Sequence, residues 1–209
     1  MKHLKLTLFI LAASVSGVWA QSVDTVAVWS QSMKKNVKNV VITPANYKTA
    51  KNERFPVVYL LHGAGGNYSN WIKKTPFLPE LASRYGMIIV CPDGNTHSWY
   101  WDSPVDTTSR YETYVSKELR EFIDKTYRTV DSREGRAITG LSMGGQGALF
   151  LAFRHLDLYG ACGSISGGVD IQSFPSSWYM EQKLGSQAEN PERWAEYSLM
   201  NQLYRLKPT

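Results

Sequence analysis

Short apolar runs alternate with stretches of helical periodicity through most of the chain. The runs 55–61 and 87–91 are almost unbroken in apolar residues, which is typical of parallel strands buried on both faces of a sheet. Residues 111–127 repeat apolar side chains at helical spacing, which indicates an amphipathic helix. Further strands are predicted at 136–139 and 159–165, and further helices at 79–85, 143–155 and 191–200. Strands that alternate with helices predict an α/β fold with a mainly parallel sheet.

The N-terminal part of the chain has a different pattern. Residues 23–33 and 37–43 are rich in β-forming residues, and a polar turn at Lys34-Lys35-Asn36 separates them, which predicts an antiparallel pair. Residues 169–190, with one proline and several aromatic residues, are predicted to form a loop. We find no internal repeat or linker, so a length of 209 residues indicates one domain.

The first twenty residues have the features of a secretory signal peptide. Residues 1–5 are basic, residues 6–15 are apolar, and Val18-Trp19-Ala20 places small residues at the cleavage-determining positions. An apolar run of about ten residues is too short to cross a bilayer, although a retained anchor is the alternative. We therefore expect a leader at 1–20, a domain at 21–209 and a secreted or periplasmic protein that is not membrane-bound after cleavage.

Composition and charge exclude little. The chain is 43% hydrophobic and 20% charged, as in ordinary globular proteins, and loss of the leader lowers the formal net charge from +5 to +3. Basic residues are scattered, so no nucleic-acid partner is indicated. Export would permit a disulfide between Cys91 and Cys162, but both lie in predicted strands, and we interpret them as buried small apolar residues.

The stretch 137–148 carries the chemistry of the chain. It contains Gly140-Leu141-Ser142-Met143-Gly144, a Gly-x-Ser-x-Gly motif between a predicted strand and a small-residue helix. This is the pattern of a nucleophile elbow, in which glycines flank a strained serine because the chain approaches itself closely there. Ser142 is therefore the candidate nucleophile; the alternative is a glycine-rich turn with an inactive serine.

Other motifs stand in a particular order around the elbow. They are Tyr59-Leu60-Leu61-His62-Gly63, Pro92-Asp93-Gly94, Ser98-Trp99-Tyr100, Tyr111-Glu112-Thr113-Tyr114 and Ser164-Ile165-Ser166-Gly167-Gly168. With the elbow, they resemble the α/β-hydrolase superfamily, and within it the esterase family of secreted feruloyl and acetyl-xylan esterases, S-formylglutathione hydrolase (esterase D) and mycolyltransferases. The resemblance implies an α/β-hydrolase fold with helices on both faces of the sheet.

The resemblance also implies functional positions. The N–H groups of Met143 and Ala64 would form an oxyanion hole. His62 and Gly63, with the aromatic pair Trp99 and Tyr100, are candidates for the substrate pocket, although the aromatic cluster could instead pack a long loop and His62 could be structural. The family's strand order would separate the two cysteines by roughly 14 Å, beyond the reach of a disulfide. No metal or organic cofactor is implied.

The family pattern is incomplete after the serine. In the superfamily the acid and the histidine of the triad follow the nucleophile. The histidine that follows here is His155, which lies roughly 18 Å from Ser142 along the predicted elbow helix and cannot reach it. Asp170 follows the strand 159–165, where a minority of these hydrolases place their acid, but a loop or capping role is the alternative. We therefore expect the triad acid and histidine to be absent from this chain.

Three explanations could account for the missing base, and the first of them is the one that we expect. The chain could be a fragment that lacks the last strands, a non-catalytic relative that binds a ligand, or an enzyme whose base comes from another chain. The fragment explanation leaves strand 159–165 as a bare apolar edge and predicts poor solubility. The expected function is a secreted serine carboxylester hydrolase that forms an acyl-enzyme on feruloyl or acetyl esters of plant polysaccharide. An acyltransferase and an inactive pseudo-esterase are the alternatives, and the oligomeric state is left open.

Overall fold

A computed structural model describes residues 22–206 of the chain, and the predicted leader lies outside these residues. Its six-stranded sheet has the order β1-β2-β4-β3-β5-β6. The strands are β1 (Ser22–Ser30), β2 (Lys35–Thr43), β3 (Val57–Leu61), β4 (Ile88–Pro92), β5 (Arg136–Gly140) and β6 (Ala161–Cys162). β1 pairs with β2, and β2 with β4, in antiparallel register, whereas β4, β3, β5 and β6 are parallel. The carboxyl ends of the parallel strands therefore meet at one edge, where ligands bind in open α/β sheets.

The helices cover both faces of the sheet. They are α1 (Asn70–Lys74), α2 (Leu78–Tyr85), α3 (Tyr111–Thr113), α4 (Arg120–Thr126), α5 (Met143–Arg154), α6 (Glu181–Leu184) and α7 (Pro191–Tyr197). A π-helical segment, Tyr114–Leu119, joins α3 to α4, and 3-10 helices occupy Ala45–Lys48, Ile171–Ser173 and Leu199–Arg205. Along β4, Ile88 and Val90 belong to the core beneath α5, whereas Ile89 and Cys91 belong to a second core beneath α2. This alternation explains why the strand is apolar throughout.

The predicted α/β fold and strand order are confirmed, and the differences are local. The turn of the opening hairpin lies at 31–34, so that Lys35 and Asn36 belong to β2. The strand predicted at 159–165 is ladder-paired over only two residues, with one further bridge between Leu141 and Ile165. The helix predicted at 111–127 contains the π-helical segment Tyr114–Leu119. An approximate 3.6-residue period of apolar side chains does not distinguish a short π-helical segment from a regular α-helix. The helix predicted at 191–200 breaks at Ser198, which has extended backbone angles.

The cysteines correct one expectation. Cys91 is buried as expected, but Cys162 is exposed, because β6 has no neighbour on its outer side among the described residues. β3 and β5 lie between β4 and β6, and both thiols are free. Residues 22–206 contain no helix that is both long enough and apolar enough to cross a membrane.

Candidate active site

The site is built around the sharp turn from β5 into α5. Ser142 occupies this turn with φ 55° and ψ −117°, a backbone conformation that residues other than glycine rarely adopt. A Cβ on Gly144 would lie 2.5 Å from the carbonyl oxygen of Leu61, and one on Gly140 would lie 2.6 Å from the carbonyl carbon of Gly144. Neither position could carry a side chain without moving the backbone, which explains the two glycines of the motif.

Backbone hydrogen bonds hold the turn in this conformation. The Ser142 N–H donates to the Ile165 carbonyl at 2.8 Å, and the Leu141 N–H donates to the Leu61 carbonyl at 3.2 Å. The residue Ser142 is exposed, and its hydroxyl has no hydrogen-bond partner among residues 22–206. The fold thus fixes the serine backbone and leaves the hydroxyl accessible.

The loop after β3 approaches this serine closely. A Cβ on Gly63 would lie 3.5 Å from the Ser142 Cβ and 3.3 Å from the Leu141 carbonyl oxygen. The loop is anchored on its other side, where the Gly65 N–H donates to the Thr96 carbonyl at 2.8 Å. Within residues 22–206, the N–H groups of Ala64 and Met143 have no hydrogen-bond acceptor. Two uncommitted donors therefore lie on the two elements that meet at Ser142.

His62 is buried at the base of the loop, and both of its ring nitrogens are engaged. The Gly94 N–H donates to Nε2 at 2.8 Å, so that Nε2 is an acceptor and the proton is on Nδ1. Nδ1 lies 2.8 Å from the Gly63 carbonyl and donates to it. Burial lowers the pKa of this imidazole, although the bond to Gly63 opposes the shift. His62 is thus held neutral and ties the loop to the segment after β4.

A cavity of about 390 Å³ opens at the serine. Its lining includes four residues predicted from the sequence, namely His62, Gly63, Ala64 and Ser142. Two tryptophans that were not predicted, Trp71 of α1 and Trp178, also line it. The Trp71 indole N–H donates to the Leu61 carbonyl at 3.0 Å, which fixes the orientation of the ring. The cavity therefore combines a serine, uncommitted N–H donors and two aromatic side chains.

The predicted pocket residues Trp99 and Tyr100 do not line this cavity. Trp99 is 4% exposed and stacks on Trp101, with ring centroids 5.4 Å apart. Tyr100 is fully buried beneath α5, where a Cβ on Gly147 would lie 2.6 Å from the Tyr100 ring. The Tyr100 hydroxyl accepts a hydrogen bond from the His62 N–H at 2.9 Å. The pocket expectation is corrected for both residues, because their rings pack the loop after β4 against the elbow helix.

The remaining titratable candidates are engaged elsewhere. The Asp170 carboxylate caps the 3-10 helix Ile171–Ser173 and accepts from the Ser173 and Ser198 hydroxyls at 2.6 and 3.2 Å. The Ser173 hydroxyl is the main cause of the lowered pKa of this carboxyl group. His155 Nε2 lies 3.0 Å from Glu112 at the far end of α5. His97 packs its ring on Tyr179 at 4.4 Å. None of these three residues lines the serine cavity, and residues 22–206 contain no cluster of three potential metal ligands.

Comparison with known proteins places the sequence in a family. Residues 30–207 match the model of the esterase family described as "Putative esterase". The endo-1,4-beta-xylanase/feruloyl esterase of Xylanibacter ruminicola is 30% identical over 185 residues, which are 82% of this chain and 25% of that protein. The acetyl esterase of Caldicellulosiruptor saccharolyticus is 33% identical over 127 residues, which are 58% of this chain and 47% of that protein. The chain spans less than half the length of these curated relatives.

Solved structures agree on the fold. A ferulic acid esterase superposes with a TM-score of 0.71 at 28% identity, covering 86% of this chain and 71% of that one. An S-formylglutathione hydrolase from Agrobacterium tumefaciens superposes with a TM-score of 0.75 at 24% identity, covering 88% and 71%. With the elbow, the neighbouring loop and the matched residues 30–207, the chain belongs to the esterase family and has an α/β-hydrolase fold.

Proposed function

We propose that the protein is a serine carboxylester hydrolase with Ser142 as its nucleophile. The observation that carries the proposal is an exposed serine in a strained turn, beside a cavity and two N–H groups without acceptors. A strained backbone conformation that the fold holds in place is a feature of functional sites. Family membership supports ester chemistry on this scaffold.

The proposed reaction uses the described groups in the following way. The Ser142 oxygen attacks the ester carbonyl carbon, and the negative charge that develops on the carbonyl oxygen is held by the N–H groups of Ala64 and Met143. A base accepts the serine proton and passes it to the departing alkoxide, which leaves as the alcohol. Water then attacks the acyl-enzyme and releases the carboxylic acid together with the free serine.

The base is not found at Ser142 among the described residues. His62 is the histidine that lines the cavity, and both of its nitrogens are hydrogen-bonded. His97 packs on Tyr179 and His155 contacts Glu112, and neither histidine lines the cavity. The proposal therefore requires a base from beyond residues 22–206, either from the same protein or from another molecule.

The acyl group that the cavity favours is aromatic. Trp71 and Trp178 line the cavity that opens at the serine, and aromatic pairs contribute about 0.5–1.5 kcal/mol beyond the area they bury. We therefore propose feruloyl esters of plant polysaccharide as the preferred substrates, with acetyl esters as smaller substrates that use the same serine. The features of residues 1–20 support export, which would bring the protein to an extracellular polymer.

Active-site labelling tests the proposed nucleophile. The full chain is incubated with a fluorophosphonate probe, with and without imidazole as a diffusible base. Because a positioned base contributes about 10²–10⁴-fold to such reactions, we expect slow labelling that imidazole accelerates. Mass spectrometry of the labelled peptide should place the adduct on Ser142.

Two variants serve as the controls for labelling. Ser142→Ala should abolish the adduct, whereas Ser176→Ala removes an exposed serine from a loop and should leave labelling unchanged. An adduct that persists in Ser142→Ala, or no adduct at any imidazole concentration, would contradict the proposal and favour a ligand-binding relative without catalytic activity. Product analysis with and without a sugar acceptor then separates hydrolysis from acyl transfer.

A further inference from the structure

A second hollow lies on the other side of the loop after β3. Its volume is about 440 Å³, and Gly65 and Gly66 line it, whereas Gly63 and Ala64 line the serine cavity. The two hollows therefore share one four-residue wall. The second hollow, which we call the lysine groove, is completed by β2 and by the loop after β4.

The shared wall is open at its centre. Gly65 has φ 73°, and a Cβ on this residue would meet no heavy atom within 4 Å. A ligand group that lies against this side of Gly65 would therefore meet no side chain. An ester with its carbonyl carbon at Ser142 would place its acyl group between the tryptophans and extend its alcohol portion across Gly65 into the lysine groove.

Two lysines of β2, Lys35 and Lys38, line the groove, and their charges are not neutralised by a carboxylate of residues 22–206. The Lys35 Nζ lies 5.1 Å from the centre of the Tyr111 ring and donates to the Tyr111 hydroxyl at 3.1 Å. The Lys38 Nζ lies 5.7 Å from the centre of the Tyr68 ring. Neither lysine forms an ion pair with a carboxylate of residues 22–206. Tyr111 lines the groove and holds the Lys35 ammonium there, whereas Tyr68 lies outside the groove and holds the Lys38 ammonium beside it.

Apart from Val37 and the two glycines, the rest of the lining is polar and, with one exception, neutral. Asparagines 36, 67 and 95 and Thr96 contribute amide and hydroxyl groups, which bind hydroxyl-rich ligands well. The exception is Asp93, whose carboxylate accepts the Asn95 N–H at 2.8 Å. Two cations against one carboxylate, among amides, favour a ligand that carries both carboxylates and hydroxyls.

We infer that the lysine groove is the leaving-group subsite of the esterase and takes an oligosaccharide that contains uronic acid. The inference rests on the proposed function for the placement of the ester at Ser142, but the binding that it predicts needs no turnover. A sugar carboxylate would pair with Lys35 or Lys38, and the sugar hydroxyls would meet the asparagine amides. The preferred polymer would then be an acidic polysaccharide rather than a neutral one.

Calorimetric titration with trigalacturonic acid tests the inference. The matched ligand is its methyl ester, which has the same sugars but no charge. We expect the acid to bind more tightly than the ester, and its affinity to fall as salt is added. The double variant with Lys35→Gln and Lys38→Gln should weaken binding of the acid by about 2- to 30-fold, the range for two exposed ion pairs. The control double variant, Lys51→Gln with Lys125→Gln, removes the same charge from residues that line neither hollow.

The outcomes separate the inference from the proposed function. Equal binding of the acid and the methyl ester, or equal losses in the two double variants, would overturn the subsite. Tight, lysine-dependent binding of the acid by a chain that no fluorophosphonate labels would support the groove and contradict the esterase mechanism. Labelling of Ser142 without binding of the acid would support the esterase mechanism and overturn the subsite. Thermal melting of each variant confirms that the fold is retained.

Discussion

At the scale of single residues, His62 shows how burial and hydrogen bonding select one protonation state. The Gly94 N–H requires a lone pair on Nε2, and protonation of the ring would remove it. The folded protein therefore binds the second proton more weakly than the unfolded chain does. Because the pKa of His62 lies below the ordinary histidine value of about 6.5, the contribution of this residue to stability is fully present above that pH.

The expected pH dependence has a definite sign. As the pH falls below about 6.5, the unfolded chain takes up a proton at His62 before the folded protein does, and stability decreases by at most about 1.4 kcal/mol per pH unit. His62→Gln retains an acceptor for Gly94 but does not titrate. In urea unfolding from about pH 7.5 to about pH 5, we expect this variant to be less stable than the wild type at the higher pH and to lose less stability on acidification. Parallel curves for the two proteins would contradict the neutral, acceptor role of His62.

Residue by residue, the sequence predicted those parts of the site that local sterics determine. Ser142 and its flanking glycines are linked because a strained turn excludes side chains nearby, and this constraint is visible in a short motif. Trp71 and Trp178 were not predicted because they lie in a five-residue helix and a loop. Such short segments have no repeating pattern of apolar residues that would show which side chains face the site. Trp99 and Tyr100 were assigned to the pocket together with the positions that the family resemblance implies, but both rings are buried in the core.

At the scale of elements, the elbow depends on contact between three backbones. Gly144 lies in the first turn of α5 against the end of β3, and a Cβ there would also lie 2.7 Å from the His62 carbonyl oxygen. The contacts of this Cβ with Leu61 and His62 cannot be relieved by rotating a side chain, because the opposing atoms belong to the backbone. The helix could accommodate a larger residue only by moving away from the sheet, and the serine would move with it.

Alanine substitution measures this constraint. Gly144→Ala should destabilise the fold by about 1–3 kcal/mol, as overpacked substitutions do, and should abolish labelling of Ser142. Gly163→Ala is the matched control, because its Cβ would meet only the Thr139 side chain, at 3.1 Å, and we expect a cost of less than about 1 kcal/mol. Chemical denaturation of both variants gives the comparison. Equal losses of unfolding free energy in the two variants would show that the close backbone approach at Gly144 does not exclude a side chain.

At the scale of the whole molecule, the two sides of the sheet differ. The antiparallel pair of nine-residue strands, β1 and β2, covers one side, whereas the other ends in the two ladder residues of β6. Along this second side, Ile165 is 50% exposed, Leu141 is 40% exposed and Val169 is 37% exposed. Unpaired backbone groups beside exposed apolar side chains favour association between molecules.

We therefore expect the chain to associate as its concentration rises. Ile165→Lys places a charge beside the unpaired strand and should increase the monomer fraction measured by sedimentation velocity, because charged residues disfavour edge-to-edge pairing. Phe77→Lys is the control, since Phe77 is 53% exposed but lies outside the sheet. A wild-type chain that stays monomeric at high concentration, or equal effects of the two variants, would contradict the edge as the cause.

The strand order of this sheet was predictable, but the extent of β6 was not. Continuous apolar runs identify β3 and β4, and the family resemblance implies their neighbours, whereas pairing of the last strand depends on which chain lies beside it. Residues 163–168 combine glycines and serines with one apolar residue, so their own preference for a strand is weak. The sequence thus predicts that a strand is present but not how far it extends, and the structure shows regular ladder pairing over two of its residues.

The hydrogen bond from the Ser142 N–H to the Ile165 carbonyl has a consequence for regulation. It joins the backbone of the proposed nucleophile to the segment that follows the two-residue strand β6. Thermal opening of that segment would release the strain stored at the serine, and a peptide or partner that paired with the segment would suppress the opening. Occupancy of the outer edge would thus control how long the serine stays in its reactive conformation, so that assembly and reactivity would be thermodynamically linked.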